Sequence, residues 1–592
     1  MPDMHEQGKP IRKDEICFED LHLKPIDGAI QVVLPKMTPD QVDAVDPLIP
    51  PTSGIRLRIL DKKDTGYSCP ASKYTLFLRL FKAISTIVKE KLGRVARVIV
   101  TSDERPTSDA LVKHALQILA FDGHELLVQA LEKKTITLDQ FTHSGMSTPY
   151  SSAAIAVLAG IDVVITVSAS HNSATWNGIK FYFKQPIPVA GDLLKEISKK
   201  AIELVEIPLK SSSSVLLHAD DIETRINDYV LDVIKHVIPI QGITGKPVVL
   251  WPYMGNAKEI HDLLLHYGVN VVKIEKTMEP PDPTVNLPID EVKGYLERSG
   301  ASLAILLDAD RDRIVFIIKI GNNFVQLNPN ELYTAMHNIL ARDYKKTIIN
   351  VRTVPSDPRC DGNAACTIES GVGYKHLGMI QFVSSGIPVD KSQFESALIY
   401  GKLKEGRVKI ESSIALLDFL GNNLPTLEEA VLMVLWEESG GHTMNLVKPR
   451  FNGTSLEKLE PVTPLIGDKF PAPAIILLAE LINRGHDLVS AIDTSIAGQR
   501  VEIEADDKRK QAIMKAMEKR VGNQVIIGGK SYEVVDYRDN LGMLDIISFR
   551  SDQSVLFARP SGTGNSVRIY IFGEKVSGKK ELENVADYLK NV

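Results

Sequence analysis

Ser302-Leu303-Ala304-Ile305-Leu306-Leu307-Asp308-Ala309-Asp310-Arg311-Asp312-Arg313 joins an apolar run of strand length to three carboxylates spaced two residues apart. A continuous apolar run that ends in a polar turn fits a strand covered on both faces, as in a parallel or mixed sheet. Ligand sites of α/β proteins lie at such strand ends. At an effective dielectric near 20, two like charges about 4 Å apart repel by roughly 4 kcal/mol, against about 1 kcal/mol in water. A hard divalent cation with oxygen ligands, most simply Mg²⁺, removes that cost. A solvated turn is the competing reading. An EF-hand is excluded, because its glycine and its last acidic ligand would fall on Arg313 and Lys319, and because the flanks read as strands.

The alternation of apolar strand and amphipathic helix continues on both sides of this stretch. A β-rich run at 95–100 precedes a helical pattern at 109–119, and the run 161–167 leads into a polar loop. The rhythm restarts at 246–250, followed by a helix at about 257–267 and a run at 269–274, and again at 347–351. The last hundred residues differ: the strand 500–504, a lysine-rich helix over 507–520, several short strands and a terminal helix at about 579–590. This order predicts three similar α/β domains and a smaller C-terminal α+β domain. The expected boundaries are an N-terminal extension over 1–50, closed by a proline-rich lead-in, and domains over 51–220, 221–335, 336–490 and 491–592.

With 592 residues the chain is too long for one core. Its formal charge of −6, without a long basic tract, argues against a nucleic-acid partner, so any anion site must be local. Four scattered cysteines, Cys17, Cys69, Cys360 and Cys366, fit neither a disulfide scaffold nor a zinc knuckle and point to a reducing compartment. The polar first residues are not a signal peptide, and the best apolar run, 153–161, is stopped by Asp162 before reaching membrane-spanning length. The expectation is a soluble, cytoplasmic protein that binds neither nucleic acid nor membrane.

Three further stretches carry chemistry. In Ile165-Thr166-Val167-Ser168-Ala169-Ser170-His171-Asn172 a strand ends in a small-residue turn that presents a hydroxyl, with histidine beside it and Lys180 ten residues after the serine. Such a serine is a cap or a nucleophile, and no G-x-S-x-G elbow surrounds it. Arg559-Pro560-Ser561-Gly562-Thr563-Gly564-Asn565 is a hairpin loop or, through its N–H groups, hydroxyls and guanidinium, a phosphate pocket. It is not a P-loop, and the nearest candidate, ending Gly529-Lys530-Ser531, has Gln524 at the first glycine position. Trp436-Glu437-Glu438-Ser439-Gly440-Gly441-His442 suits sugar hydroxyls, which both donate and accept, or is a solvated acidic loop. Thr52-Ser53-Gly54-Ile55-Arg56 and Ser102-Asp103-Glu104-Arg105-Pro106 are weaker signals. A haloacid-dehalogenase phosphatase would place threonine or valine where Asp312 stands.

Taken in order, S-A-S-H-N-S, D-A-D-R-D-R, W-E-E-S-G-G-H and R-P-S-G-T resemble the four hallmarks of the α-D-phosphohexomutase family of phosphoglucomutases and phosphomannomutases, one in each expected domain. T-S-G-I-R (52–56), S-T-P (147–149), P-D-P-T (281–284) and V-G-Y-K (372–375) match lesser family features. The resemblance implies mixed sheets arranged around a central cleft, and a phosphoryl shuttle between hexose 1-phosphate and hexose 6-phosphate. Ser170 would carry the phosphoryl group, with its oxygens completing a Mg²⁺ site made by Asp308, Asp310 and Asp312. Lys180 is the implied general base, assisted by Arg56, with His171 beside the serine. Arg313 would lie near the transferring phosphate, and Glu437 and Ser439 would hold the sugar 3- and 4-hydroxyls. Arg559, Ser561, Gly562 and Thr563, with Lys375, would grip the other phosphate.

Glucose 1,6-bisphosphate is the implied activator, sugar phosphates are the implied partners, and a monomer or dimer the implied assembly. Glucose ranks ahead of mannose from E-E-S and S-G-T-G, and glucosamine ranks below both. The sequence departs from the family pattern at Ser173 in place of proline, at Arg311 in place of a small residue, at the extra glycine before His442, and at Gly564-Asn565. Two other classes stay open: a metal-dependent sugar phosphatase with Asp308 as nucleophile, and a non-catalytic mutase-like protein, made conceivable by Arg311 and the altered sugar loop.

Overall fold

The computed structural model describes residues 10–47, 54–243, 245–404, 406–424, 429–493, 495–561 and 566–592. It divides into two compact units. The first comprises Met1–Gln326 with Asp468–Ile476, and the second Leu327–Gly467 with Leu477–Val592.

The first unit is built on a seven-stranded mixed sheet. Its strand order is Ile55–Arg58, Trp176–Phe183, Val163–Val167, Arg97–Ser102, Glu125–Gln129, Leu216–Asp220 and Lys134–Thr137. The four strands from Val163–Val167 to Leu216–Asp220 run parallel, and antiparallel strands close both edges. Val163–Val167 is buried along its whole length, as expected of an apolar strand with neighbours on both edges and cover on both faces. The strand expected at 95–100 runs Arg97–Ser102 instead, because its polar end is satisfied inside. Thr101 Oγ1 lies 2.7 Å from Ser151 Oγ, and Ser102 Oγ lies 2.7 Å from His143 Nε2.

Residues within 10–47 contribute to this core. Ala29–Val33 pairs antiparallel with both Leu23–Ile26 and Glu206–Lys210, while Ile16–Phe18 pairs parallel with Tyr67–Cys69. Ile11, Val32, Leu34 and Val45 join the same hydrophobic cluster as the central sheet. A second mixed sheet in this unit has the order Val271–Lys273, Val248–Pro252, Leu303–Leu307, Ile314–Ile320 and Asn323–Leu327. Leu303–Leu307 is fully buried, as its composition predicts.

The second unit holds a seven-stranded mixed sheet and a six-stranded antiparallel one. The first has the order Gly406–Lys409, Ile399–Leu403, Cys366–Ser370, Ile348–Thr353, Val431–Trp436, His442–Asn452 and Ser455–Pro461. The antiparallel sheet packs against the helices Asp507–Glu518 and Lys575–Lys590, giving the expected α+β arrangement. The terminal helix begins ahead of the expected residue 579, at Lys575, directly after the strand Ser566–Glu574. Among the described residues no helix is long and apolar enough to cross a membrane.

Candidate active site

In the first unit, two neighbouring parallel strands end side by side, with Val167 opposite Ser102. The turn after the first carries Ser170, and the turn after the second carries Asp103-Glu104-Arg105. Ser170 is 1% exposed and sits in the left-handed region at φ +57°. That conformation costs a non-glycine residue roughly 1–2 kcal/mol, and the neighbouring turn holds it. Ser168 Oγ accepts from the Ser170 N–H at 2.9 Å and donates to Asp103 Oδ2 at 2.7 Å. Arg105 pairs with Asp103 at 3.0 Å and donates to the backbone oxygens of Ser173 at 2.7 Å, Trp176 at 3.1 Å, and Ser170. Asp103 and Arg105 are fully buried, so S-D-E-R-P, a faint signal in sequence, is the clamp on the serine turn. Ser170 Oγ lies 3.3 Å from His171 Nδ1.

The strand Trp176–Phe183 runs beside this turn and brings Lys180 opposite Thr166 and Gly178 opposite Arg56. Gly178 admits no side chain, because a Cβ there would stand 2.5 Å from Ser168 O and 2.7 Å from Ile55 O. The glycine of N-G-x-K therefore lets the strand approach the serine turn.

Asp308–Arg313 is the turn between the antiparallel strands Leu303–Leu307 and Ile314–Ile320. Asp308 Oδ1 closes it by accepting from the N–H groups of Asp312 at 3.0 Å and Arg313 at 3.1 Å. Asp308, Asp310 and Asp312 are buried, and each offers a carboxylate oxygen within 4.8 Å of the others. Among the described residues, Asp308 Oδ2, Asp310 Oδ1 and Asp312 Oδ1, all buried, meet no hydrogen-bond partner. A buried, acceptor-only set of three oxygens fits a hard divalent cation and is a poor arrangement otherwise.

Lys180 Nζ lies 3.3 Å from Asp310 Oδ2 and 3.7 Å from Asp312 Oδ2, and Lys469 Nζ lies 3.3 Å from Asp312 Oδ2. Burial opposes ionisation of Asp310, but Lys180, Lys469 and Arg56 hold its pKa below the usual carboxylate range. Asp308 is pushed well above that range by burial and then by the charges of Asp310 and Asp312. Burial also lowers the Arg56 pKa, against the pull of Asp310 and Asp312.

The two arginines of the loop part ways. Arg313 pairs with Asp282 of P-D-P-T at 2.8 Å. Arg311, at φ +60°, turns from the carboxylates towards Glu259 at 2.6 Å and Glu104 at 2.8 Å. Lys469 belongs to no sequence motif considered above. It is delivered by its neighbours: Asp468 accepts from Tyr182 OH at 2.7 Å, and Phe470 packs on Tyr150 and Tyr229 with ring centroids 5.5 and 5.9 Å away.

In the second unit, Val431–Trp436 and His442–Asn452 form a hairpin whose turn is Glu437–Gly441. Ser439 Oγ donates to Glu437 Oε1 at 2.6 Å, and Tyr333 OH donates to Gly440 O at 2.7 Å. Glu437 and Ser439 thus form one polar pair, whereas Glu438 accepts from Thr353 Oγ1 at 3.2 Å. His442 is not in the turn. It opens the following strand, fully buried, with its Nε2 3.0 Å from His337 Nε2 and its ring stacked on Tyr333. The extra glycine carries the chain back into the sheet, with Gly440 at φ +117°.

Lys375 lies in the first turn of Tyr374–Ser384, where burial lowers its pKa. Arg559 stands near the end of Val555–Pro560 with a buried Nε that meets no hydrogen-bond partner among the described residues. Both charges act on His376, and Ser561 follows with its N–H donated to Ser566 O at 2.8 Å. Gly562 and Thr563 lie outside the described residues.

Burial pushes His337 down to about 3; burial, then Lys375 and Arg559, do the same to His376. A histidine with a depressed folded pKa binds fewer protons folded than unfolded, so its contribution is full above the unfolded value. It is lost as pH falls from roughly 6.5 towards 3, at up to about 1.4 kcal/mol per pH unit per group. The thermal midpoint is therefore expected to fall steadily below pH 6.5, and His376→Gln should flatten that slope in a pH series of melting curves. An identical slope in the variant would show that His376 does not titrate in this way.

Residues 49–206 match the phosphoglucomutase/phosphomannomutase alpha/beta/alpha domain I family model. Over these residues the chain is similar to the phosphoglucomutases and phosphomannomutases. It is 28% identical over 258 residues to a phosphoglucomutase of Staphylococcus saprophyticus, covering 40% of this chain and 44% of the relative. It is 22% identical over 292 residues to a phosphoglucosamine mutase of Buchnera aphidicola, covering 48% and 59%. These matches span about half the length of the curated relatives. The fold is similar to that of parafusin, a phosphoglucomutase of Paramecium in its open form. The TM-score is 0.57, with 14% identity, and 95% of this chain and 96% of that one are covered.

The first unit brings Ser170, His171, Lys180, Arg56, the three aspartates and Arg313 to adjoining turns and strands. The second unit separately holds the Glu437–Ser439 pair and the group of Lys375, Arg559 and Ser561. The residues that sequence reasoning missed are Asp103 and Arg105, which were visible as a weak motif, and Lys469, which was not visible at all.

Proposed function

We propose that this chain is a phosphohexomutase that interconverts hexose 1-phosphate and hexose 6-phosphate through a phosphoseryl group on Ser170 and a hexose 1,6-bisphosphate. The observation that carries this reading is the buried, clamped Ser170 turn lying in the same unit as three clustered buried aspartates, two of which, Asp310 and Asp312, Lys180 bridges.

Asp103 and Arg105 fix the backbone of the turn that carries the seryl oxygen, so the phosphoryl group would leave and return at one position. Lys180 Nζ, on the strand that adjoins the serine turn, is the group placed to move a proton at the attacking hydroxyl, with Arg56 beside it on the paired strand. Asp308, Asp310 and Asp312, with the phosphoseryl oxygens, would hold Mg²⁺, which supplies withdrawal of charge from the seryl oxygen. Arg313, fixed by Asp282, contributes a further positive charge beside the aspartates. Glu437 and Ser439 are the candidates for the sugar 3- and 4-hydroxyls. Lys375, Arg559 and Ser561 are the candidates for the phosphate that does not react.

Glucose phosphates are the proposed substrates, with mannose phosphates second and glucose 1,6-bisphosphate as activator. Relatives named phosphoglucomutase and phosphoglucosamine mutase leave glucosamine as the alternative to compare. Incubation of purified protein with glucose 1,6-bisphosphate and Mg²⁺ should place one phosphate on Ser170, read by peptide mass spectrometry. Its absence, together with phosphate release that survives Ser170→Ala and is lost in Asp308→Asn, would establish a phosphatase instead.

A further inference from the structure

Arg311 stands at the centre of the aspartate loop, yet the two carboxylates that its side chain meets both lie outside that loop. They come from different parts of the unit. Nη1 meets Glu104 Oε2 at 2.8 Å, and Nε meets Glu259 Oε1 at 2.6 Å. Arg311 and Glu259 side chains are each 1% exposed. Glu104 stands between Asp103 and Arg105, the two residues that hold Ser168 and Ser170. Its seat is shaped for it: a Cβ on Gly145 would fall 2.5 Å from its carboxyl carbon, and one on Gly255 would fall 2.2 Å away. Glu259 lies in the first turn of the helix Lys258–His266, which follows the strand Val248–Pro252. That strand pairs directly with Leu303–Leu307, the strand that leads into the aspartates. One guanidinium fork therefore bridges the aspartate loop, the serine clamp and the helix behind the loop. Two bonds in fixed geometry suit arginine and not lysine.

We propose that Arg311 is a positioning residue that sets the spacing between the metal carboxylates and the phosphoseryl turn, acting through Glu104 and Glu259. The inference deepens the mutase reading and rests on it for its kinetic arm, while its binding arm needs only the metal.

The test uses the full-length protein and its variants. Arg311→Gly keeps the left-handed backbone at ease and removes both bonds, whereas Glu104→Gln and Glu259→Gln remove charge without changing shape. In Arg311→Gly, the Mg²⁺ concentration for half-maximal activity is expected to rise about 10-fold and kcat to fall about 10-fold, as when an outer-shell partner of a metal site is lost. The KM for hexose 1-phosphate should stay within about two-fold, since the sugar candidates lie elsewhere. Arg311→Lys, with a single bond, should fall between Arg311→Gly and the parent. Should Arg311→Gly fold poorly, the two glutamine variants carry the test, with the same shift in Mg²⁺ requirement expected. Folded variants that lose turnover at an unchanged Mg²⁺ requirement would overturn the proposal and leave Arg311 a purely structural bridge. If the parent protein shows no mutase turnover, the functional reading fails by itself. Calorimetric Mg²⁺ binding, parent against Arg311→Gly, then still decides whether Arg311 tunes the metal loop.

Discussion

Replacing Ser170 with alanine is expected to lower mutase turnover by at least about 10³-fold, the scale on which removal of a nucleophile acts. The same substitution should leave the fold intact. The backbone contacts that hold the turn, Ser170 N–H to Ser168 Oγ and Ser170 O to Arg105, do not involve the hydroxyl. Only the contact of Oγ with His171 at 3.3 Å is lost, and one such hydrogen bond contributes about 1 kcal/mol. Alanine tolerates φ +57° no better and no worse than serine on steric grounds. A near-complete loss of activity with an almost unchanged melting curve is therefore the signature of a group that reacts. Wild-type turnover in the variant would sink the phosphoseryl mechanism, and a large drop in the melting temperature would show that the hydroxyl holds the turn.

Asp308→Asn should separate metal binding from folding with opposite signs. Asp308 ionises against burial and against the nearby charges of Asp310 and Asp312. Asparagine removes one of three like charges while keeping an oxygen that can accept from the N–H groups of Asp312 and Arg313. Without Mg²⁺ the variant is expected to melt at or above the parent temperature, because a buried like-charge contact is relieved. With Mg²⁺ the parent should gain stability by mass action and the variant should not. Activity at saturating sugar phosphate should fall by about 10²-fold or more, since loss of a direct ligand exceeds the roughly 10–100-fold typical of an outer-shell partner. Melting curves of both proteins across a Mg²⁺ series decide the matter. An equal Mg²⁺ response in the two would remove Asp308 from the metal site.

Much of this chemistry is local and hence legible in the chain. Asp308, Asp310 and Asp312 follow the apolar run 303–307, and a buried strand can only deliver them together at its end. Ser170 follows 163–167 for the same reason. The glycine of Asn177-Gly178-Ile179-Lys180 had a meaning in the pattern, and the structure supplies its cause in the approach of Ser168. Direction was not legible. Arg311 and Arg313 differ by two residues in sequence, yet each pairs with a different carboxylate far along the chain, Glu104 and Asp282. His442 sits next to the Glu437–Gly441 turn in sequence but belongs to the core with His337. Residues 10–47 show no sustained period because their strands are three to five residues long, too short to display one. They gain their partners from 67–69 and 206–210.

Read alone, the chain dictates its strand-and-loop alphabet: which apolar runs are buried strands, and which polar turns carry carboxylates, hydroxyls and arginines. Those features follow from burial and spacing over a few residues, where the chain has little choice. Which charges meet is settled only across the whole fold. Asp103 and Arg105 became the clamp on Ser170, Lys469 reached Asp312, and Arg311 turned from the three aspartates to Glu104 and Glu259. A buried charge must find a partner of opposite sign, but nothing in its own neighbourhood along the chain says which one. That choice is made by packing, when distant segments exclude water together and the cost of an unpaired charge becomes large.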